Sequence, residues 1–164
     1  MNTPRPVAPT QSVSHETQAA GDTSSRQSGA GVEVLRAENQ RLAKRIILDV
    51  GKPQWGDIVA DEVVFEFPYG ESIERPTRIA GKAQVIEYLK GVIEFLGLEM
   101  YDVVNTPALD PAIIYNEYKG RYTKSPGVVQ HYISLQKFEN GKLVLQREYW
   151  DPTPVRAMQA KRAQ

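Results

Sequence analysis

The sequence predicts a single α+β domain, with helices packed on one side of an antiparallel sheet. Three observations carry this. Apolar residues recur at helical spacing in the first half of the chain, most clearly over "GKAQVIEYLKGVIEFLG" (81–97). From residue 98 the pattern changes to period two and keeps it through four successive segments. Helices and strands do not alternate, which argues against a parallel βαβ architecture.

The elements follow in order. Residues 1–30 are rich in Pro, Ser, Thr, Gln and Ala and nearly lack large apolar side chains. Such a segment cannot bury enough surface to offset its ordering entropy, so a disordered tail is expected over 1–30 and a folded domain over 31–164. In "VEVLRAENQRLAKRIILDV" (32–50), Leu35, Leu42, Ile46 and Val50 fall near one helical face, and Gly51 and Pro53 end the helix. Too few heptads are present for a coiled coil. A short helix through "PQWGDIVA" would dock by Trp55, Ile58 and Val59. "DEVVFEFPYG" reads as a strand stopped by Pro68 and Gly70, and "ESIERPTRIAG" as its hairpin return. In the helix over 81–97, Val85, Ile86, Leu89, Val92, Ile93 and Leu96 recur at i, i+3, i+4 and i+7, and Gly97 follows as its C-cap. "LEMYDVVNTPA", "AIIYNEYKGRYTK", "VVQHYISLQKF" and "KLVLQREYW" are strands separated by "LDP", "SPG" and the tight turn "ENG".

Composition narrows the function. Lys+Arg and Asp+Glu are both 20, so the chain carries no net charge. Neither a nucleic-acid footprint nor a polybasic membrane anchor is expected. There is no Cys and hence no thiol nucleophile, and the two histidines, His15 and His131, are far apart. No metal site or cofactor motif is recognisable: there is no glycine-rich phosphate loop, G-x-S-x-G elbow or H-E-x-x-H. No apolar run approaches the roughly 20 residues that span a bilayer, and no secretory h-region is visible. A cytoplasmic location is expected.

The chemistry turns on the last two strands. One parity gives Gln130, Tyr132, Ser134, Val144, Gln146, Glu148 and Trp150. The other gives Val129, His131, Ile133, Leu135, Leu143, Leu145, Arg147 and Tyr149. By hydrophobicity the second set would be core and Glu148 solvated. Yet the first set has no Lys or Arg and mixes aromatic and amide groups with one carboxylate, which suits a pocket. A carboxyl there would have a raised pKa, fit for acid/base work. The pattern leaves both readings open.

The motifs "RIAGKAQVIEYLKGV", "DPAIIYNEYKGRY" and "FENGKLVLQREYWDP", in this order over roughly 32–158, resemble the SnoaL-like branch of the nuclear transport factor two-like superfamily, and within it the phenazine-biosynthesis PhzA/PhzB type. The resemblance implies a cone-shaped α+β barrel, whose curved antiparallel sheet wraps around the helices and encloses a pocket. It also implies a homodimer through the outer sheet face. It puts the acidic residue of the R-E/D-Y/F motif, Glu148, in a catalytic position, with Gln130, Tyr132 and Trp150 lining the pocket, which favours the first parity. The chain departs from the family pattern in places. Tyr88 and Val92 stand where phenazine-type proteins carry His and Ser, and Val128 where they carry a pocket Tyr. Tyr118 and Gly120 stand where limonene epoxide hydrolase has its Arg-x-Asp dyad.

The resulting expectation is a cofactor-free biosynthetic enzyme of the isomerase, cyclase or dehydratase type, acting on a small molecule. Glu148 and Tyr132 are the catalytic candidates. Tyr118, Gln130, Gln146, Trp150, Tyr88, Phe67, Trp55 and Asn116 are the substrate-binding candidates. Phe65 and Tyr69 would extend the aromatic wall. Glu117 is expected in an ion pair with Arg121 or Arg147, and His131 at the outer surface. The alternatives are a non-catalytic ligand-binding or scaffold dimer with a filled pocket, or an epoxide hydrolase lacking its usual dyad.

Overall fold

The computed structural model describes residues 19–162, with side chains over 29–161. Of the tail expected over 1–30, residues 1–18 lie outside the described residues, whereas 19–30 belong to helix α1. Helix α1 (Ala19–Leu48) is followed by a 3-10 turn (Pro53–Ile58), strand β1 (Val59–Glu66), a second 3-10 turn (Gly70–Ile73) and the short β2 (Arg78–Ala80). Helix α2 (Lys82–Leu96) leads into β3 (Leu98–Pro107), β4 (Ile113–Tyr122), β5 (Val129–Glu139) and β6 (Lys142–Trp150), and α3 (Thr153–Arg162) closes the order.

The strands form one open six-stranded sheet in the order β2-β1-β6-β5-β4-β3. The meander β3 to β6 is antiparallel, as expected. One pair departs from that expectation: β1 runs parallel to β6. No hairpin joins these two, so no short turn forces them antiparallel. The sheet is α+β in class and strongly curved, and its register shifts mark where it bends. One falls between Tyr101 and Val104, with Asp102 at φ 53°, another between Lys137 and Phe138, and a third between Val59 and Val64. An extra residue in one strand bends it and raises local twist. The "ENG" turn joins β5 to β6 with Asn140 at φ 50° and Gly141 at φ 71°, the left-handed pair that a tight hairpin requires.

Inside the curve, α1 buries Asn39, Leu42, Ala43, Ile46 and Ile47 against β3 and β4. These positions repeat at i, i+3, i+4, i+7 and i+8, a face slightly rotated from the one predicted, so Leu35 is exposed and Asn39 buried. Asn39 is tolerated there because its amide donates to the Pro111 carbonyl (3.0 Å). Trp55 wedges under α1 and donates its indole N–H to the Ile46 carbonyl (2.8 Å). Helix α2 packs on β1, β2 and β3.

Three apolar clusters result. One joins α1, Trp55, Phe65, Phe67, Val85, Ile114, Phe138 and Leu143. A second joins Ile73, Leu96 and Tyr122 to Val155 and Met158 of α3. A third is Ile47 with Tyr118 and Tyr132. Full burial of a side chain such as Ile46 or Leu143 contributes roughly 1.5–3 kcal/mol. The sequence pattern does not announce α3, because among its described side chains only Val155 and Met158 are buried. It is fastened by Arg156 to the Ser72 carbonyl (2.9 Å) and by Gln159 to the Ile73 carbonyl (3.2 Å).

Candidate active site

The concave face of the sheet carries the parity set that contains Glu148. Along β4 the inward residues are Ile114, Asn116, Tyr118, Gly120 and Tyr122, and along β5 they are Gln130, Tyr132, Ser134, Gln136 and Phe138, all buried. Most of the aliphatic set faces outward, with Val129, Ile133 and Tyr149 exposed, but Leu143, beyond the register shift at Lys137 and Phe138, is fully buried opposite Phe138. Hydrophobicity alone misleads here, because the inner face lines a cavity rather than a dry core.

That cavity has a volume of about 380 Å³ and borders all three apolar clusters. Its wall is mostly aliphatic and aromatic: Ile46, Trp55, Phe65, Phe67, Leu96 and Trp150 among others. The polar groups on it are few. Glu148, Gln146, Tyr118, Tyr122 and Tyr132 come from the sheet, Tyr88 and Glu87 from α2, and Arg75 from the loop before β2. A mainly apolar hollow with a handful of convergent polar groups is the usual form of a small-molecule site.

Cross-strand register assembles the polar groups in rows. Tyr118, Tyr132 and Trp150 are paired across β4, β5 and β6. Asn105, Asn116, Ser134 and Glu148 form the next row, and Gln136 and Gln146 the one beyond. The Tyr118 and Tyr132 rings stack, with centroids 5.1 Å apart and planes 5° from parallel. The hydroxyls of Tyr122 and Tyr132 lie 3.2 Å apart.

Glu148 is half-buried, and the surface it keeps opens on the cavity. Its Oε2 accepts a hydrogen bond from the Tyr118 hydroxyl and another from Gln146 Nε2 (3.0 Å). Among the described residues no group donates to Oε1. One oxygen is therefore anchored and the other is free for a ligand. Burial pushes the carboxyl above its ordinary value, and the bonds from Tyr118 and Gln146 offset part of that rise. Burial likewise pushes the Tyr118 and Tyr132 hydroxyls well above the usual phenol value, reinforced for Tyr118 by the Glu148 charge and for Tyr132 by Tyr122 and then Glu148. Tyr122 and Tyr88 are raised too, first by burial. All four tyrosines thus remain protonated donors at neutral pH.

Of the predicted residues, Glu148, Tyr132, Tyr118, Gln146, Trp150, Tyr88, Phe67 and Trp55 line the cavity, as does Phe65. Two substrate-binding candidates do not. Asn116 is buried behind the wall, held by Asn105 and by Ser134 (3.2 Å). Gln130 is equally buried and donates to the His131 carbonyl (3.1 Å). Tyr69 also lies off the wall, 47% exposed and edge-on to Tyr149. The ion pair expected for Glu117 is not formed. Arg121 pairs with Glu99 (2.6 Å) and Arg147 with Glu66 (2.6 Å), their register partners, whereas Glu117 lies between Val104 and Ile133. Tyr122 is not singled out by sequence reading, although it sits four positions after Tyr118 on the same strand face. Arg75 gives no sequence signal, because its loop has no periodicity.

No group of His, Cys, Asp and Glu that could hold a metal is present among the described residues. Among them, too, no helix is long and apolar enough to cross a membrane.

The curved, open α+β sheet is the fold of nuclear transport factor two-like proteins. The solved structures agree. A phenazine biosynthesis-related protein from Pseudomonas aeruginosa superposes with a TM-score of 0.64 at 17% identity, over 74% of this chain and 84% of that one. A candidate isomerase from Bacillus subtilis does so with a TM-score of 0.60 at 25% identity, over 72% and 90%. No family model matches the chain. In sequence, it is 31% identical over 101 residues to an uncharacterized PhzA/B-like protein of Pseudomonas aeruginosa, covering 60% of this chain and 71% of the relative. It is 27% identical over 123 residues to the uncharacterized protein YesE of Bacillus subtilis, covering 73% and 83%. The chain belongs to the PhzA/B-like family of the SnoaL-like, nuclear transport factor two-like superfamily.

Proposed function

We propose that the protein is an isomerase- or cyclase-type enzyme that moves a proton on a carbonyl-bearing small molecule, with Glu148 as the acid/base group. The observation that carries this reading is the asymmetric anchoring of Glu148. Two donors hold Oε2, and Oε1 is left to an apolar cavity of about 380 Å³. The likeness to a candidate isomerase at 25% identity points the same way.

In the step that fits this geometry, Glu148 Oε1 takes a proton from carbon next to a substrate carbonyl. The electron pair moves onto the carbonyl oxygen. Tyr122 and Tyr132 are placed to receive that charge: one hydroxyl donates to the other, and the acceptor's own proton is free for the ligand oxygen. Glu148 then returns the proton at another carbon, which is isomerisation. Alternatively, the enolate carbon attacks a second carbonyl, and Glu148 protonates the new alkoxide, which is cyclisation. A raised carboxyl pKa brings the base nearer to the operating pH, where proton transfer is most efficient. The carboxylate and the tyrosines suffice for this step. Trp55, Phe65, Phe67 and Trp150 would flank the substrate and exclude water.

The scaffold alternative calls for a filled pocket, and the open cavity speaks against it. The epoxide hydrolase alternative needs side chains at 118 and 120 that could activate water. Gly120 has none, and a Cβ there would come within 2.9 Å of Tyr132.

The test is deuterium incorporation from D2O into a panel of cyclic ketones and 1,3-dicarbonyl compounds, followed by NMR with wild type and Glu148→Gln. Exchange that the substitution slows by roughly 10²–10⁴-fold supports the reading. Compounds that bind in the cavity but exchange no faster than in buffer would make the protein a binding module.

A further inference from the structure

The two hydrogen bonds on Glu148 Oε2 are the ends of two longer chains. On one side, Gln136 Nε2 donates to Gln146 Oε1 (2.9 Å), which leaves Gln146 Nε2 to donate to Glu148 (3.0 Å). On the other, Asn105 donates to Asn116 and Asn116 Nδ2 donates to Ser134 Oγ (3.2 Å); the Ser134 hydroxyl, one register row from Tyr118, eases the raised pKa of that phenol as a nearby donor does, and the Tyr118 hydroxyl donates to Glu148. The carboxylate end sets the direction of the glutamine links, because it only accepts. Ser134 Oγ accepts from Asn116, so its own proton is available to Tyr118. Gln146 Oε1 accepts from Gln136, so its NH2 end must face Glu148. Reversing either amide alone would set oxygen against oxygen. The polarity comes at a cost: Gln136 Oε1 is buried with no partner. Both Gln136 and Ser134 are 0% exposed, and neither lines the cavity.

We propose that Gln136 and Ser134 are positioning residues that fix the direction of both chains, so that donors are held on Glu148 Oε2 and Oε1 is kept toward the cavity. Neither touches the ligand; Gln136 acts through Gln146 and Ser134 through Tyr118. The other polar groups on the cavity wall with Glu148 are Tyr118 and Tyr122 from β4, Tyr132 from β5, Tyr88 and Glu87 from α2, and Arg75 from the loop before β2. None of these supplies the second donor that Gln146 does. With Gln136 removed, the Gln146 amide can turn its carbonyl toward the carboxyl, which favours the protonated form. With Ser134 removed, the Tyr118 hydroxyl loses the partner that directs its proton. In both cases the Glu148 pKa rises.

The inference rests on the reading of Glu148 as the proton-transfer group, but its test needs no substrate. The Glu148 carboxyl would be titrated by carbon-detected NMR in the full chain, in wild type, Gln136→Met, Ser134→Ala, Gln146→Met and the Gln136→Met/Gln146→Met double variant. The expected result is an upward shift in each single variant, with Gln136→Met adding nothing once Gln146 is Met. In wild type, the side-chain amide signals of both Gln136 and Gln146 should move with the Glu148 midpoint, a readout that needs no variant to fold. An unmoved Gln136 amide would overturn the proposal for that chain. So would a Gln136→Met shift that persists in the Gln146→Met background. An unchanged Glu148 midpoint in folded Ser134→Ala would overturn it for the other. Where exchange activity is found, both variants should lower kcat by about 10- to 100-fold with KM little altered. Titration results as expected without any activity would fault the catalytic reading and leave the positioning role standing.

Discussion

Tyr118 and Glu148 sit on strands that are not neighbours: β5 lies between β4 and β6, and the Tyr118 hydroxyl reaches over it to donate to Glu148. Below the bond lies Ser134, which pairs in register with Asn116 on one side and Glu148 on the other. A flat sheet would hold β4 and β6 about 9–10 Å apart, twice the strand spacing. Curvature tilts the inward side chains together until they meet.

Removing the Tyr118 hydroxyl should therefore act on Glu148 and not on the sheet. Tyr118→Phe keeps the ring stacked on Tyr132 and leaves Oε2 with Gln146 alone. The Glu148 pKa should move further up, and unfolding free energy at neutral pH should fall by about 1.5–3 kcal/mol, the usual worth of a hydrogen bond to a charged group. Urea unfolding with carboxyl titration checks both; an unchanged Glu148 midpoint would show that the bond does not persist in solution.

The pH profile of activity follows from the same carboxyl. As a base, Glu148 works when ionised, so kcat/KM should rise with pH through its folded pKa, which burial places above the ordinary Glu value. Stability should run the other way. A raised folded pKa means that the native state binds the proton more tightly than the unfolded chain. Stability is therefore greatest below the unfolded value, declines as pH rises through the folded value, and is level beyond it. Glu148→Gln should abolish the ascending limb of activity. It should also be more stable than wild type at neutral pH, with the advantage vanishing on acidification below the ordinary carboxylate range. Thermal unfolding of the two proteins between pH 3 and pH 8 tests the sign.

Gly120 marks where the cavity wall tolerates no more volume. A Cβ there would come within 2.9 Å of Leu98 and Tyr132 and 3.2 Å of Met100. Gly120→Ala should cost about 1–3 kcal/mol of stability, as overpacking does, and push the Tyr132 ring off Tyr118. Denaturant unfolding gives the first quantity, and ring-proton shifts of the two tyrosines give the second. A variant as stable as wild type would mean that the wall yields more readily than its packing indicates.

The elements that could be read from sequence are those whose signal is local. Gly97 and the "ENG" turn carry their own backbone chemistry, and the four period-two runs can hardly be anything but strands. That Glu148 would line a cavity was legible for a different reason: it interrupts an apolar run, and the R-E-Y motif resembles a known family. What could not be read is long-range pairing. Arg121 and Arg147 look like partners for Glu117 until register assigns them to Glu99 and Glu66. Asn116 and Gln130 share parity with Tyr118 and Tyr132, but parity says which face a side chain takes, not whether it reaches a cavity. The parallel β1–β6 pair and the docking of α3 depend on chain closure over more than 70 positions, for which no window of sequence holds a signal.

The outer face of the sheet leads to the last prediction. Val104, Ile133 and Tyr149 fall in one register row and are 61%, 54% and 36% exposed, with Tyr115 and Val129 46% exposed nearby. Period-two alternation places apolar side chains on both faces of these strands, and the inner face is already satisfied by the helices and the cavity. Exposed apolar side chains gathered on one sheet face in this way are uncommon unless something covers them. A second copy of the chain is the expected cover, and Glu117, lying in the same row between Val104 and Ile133, would then need a donor from the partner. Ile133→Asp sets a second unpaired carboxylate beside Glu117. In sedimentation velocity the wild type should run as a dimer and Ile133→Asp as a monomer. The Glu148 titration should be the same in both, since residue 133 points away from the cavity. A wild type that stays monomeric at high micromolar concentration would leave this face to a different partner.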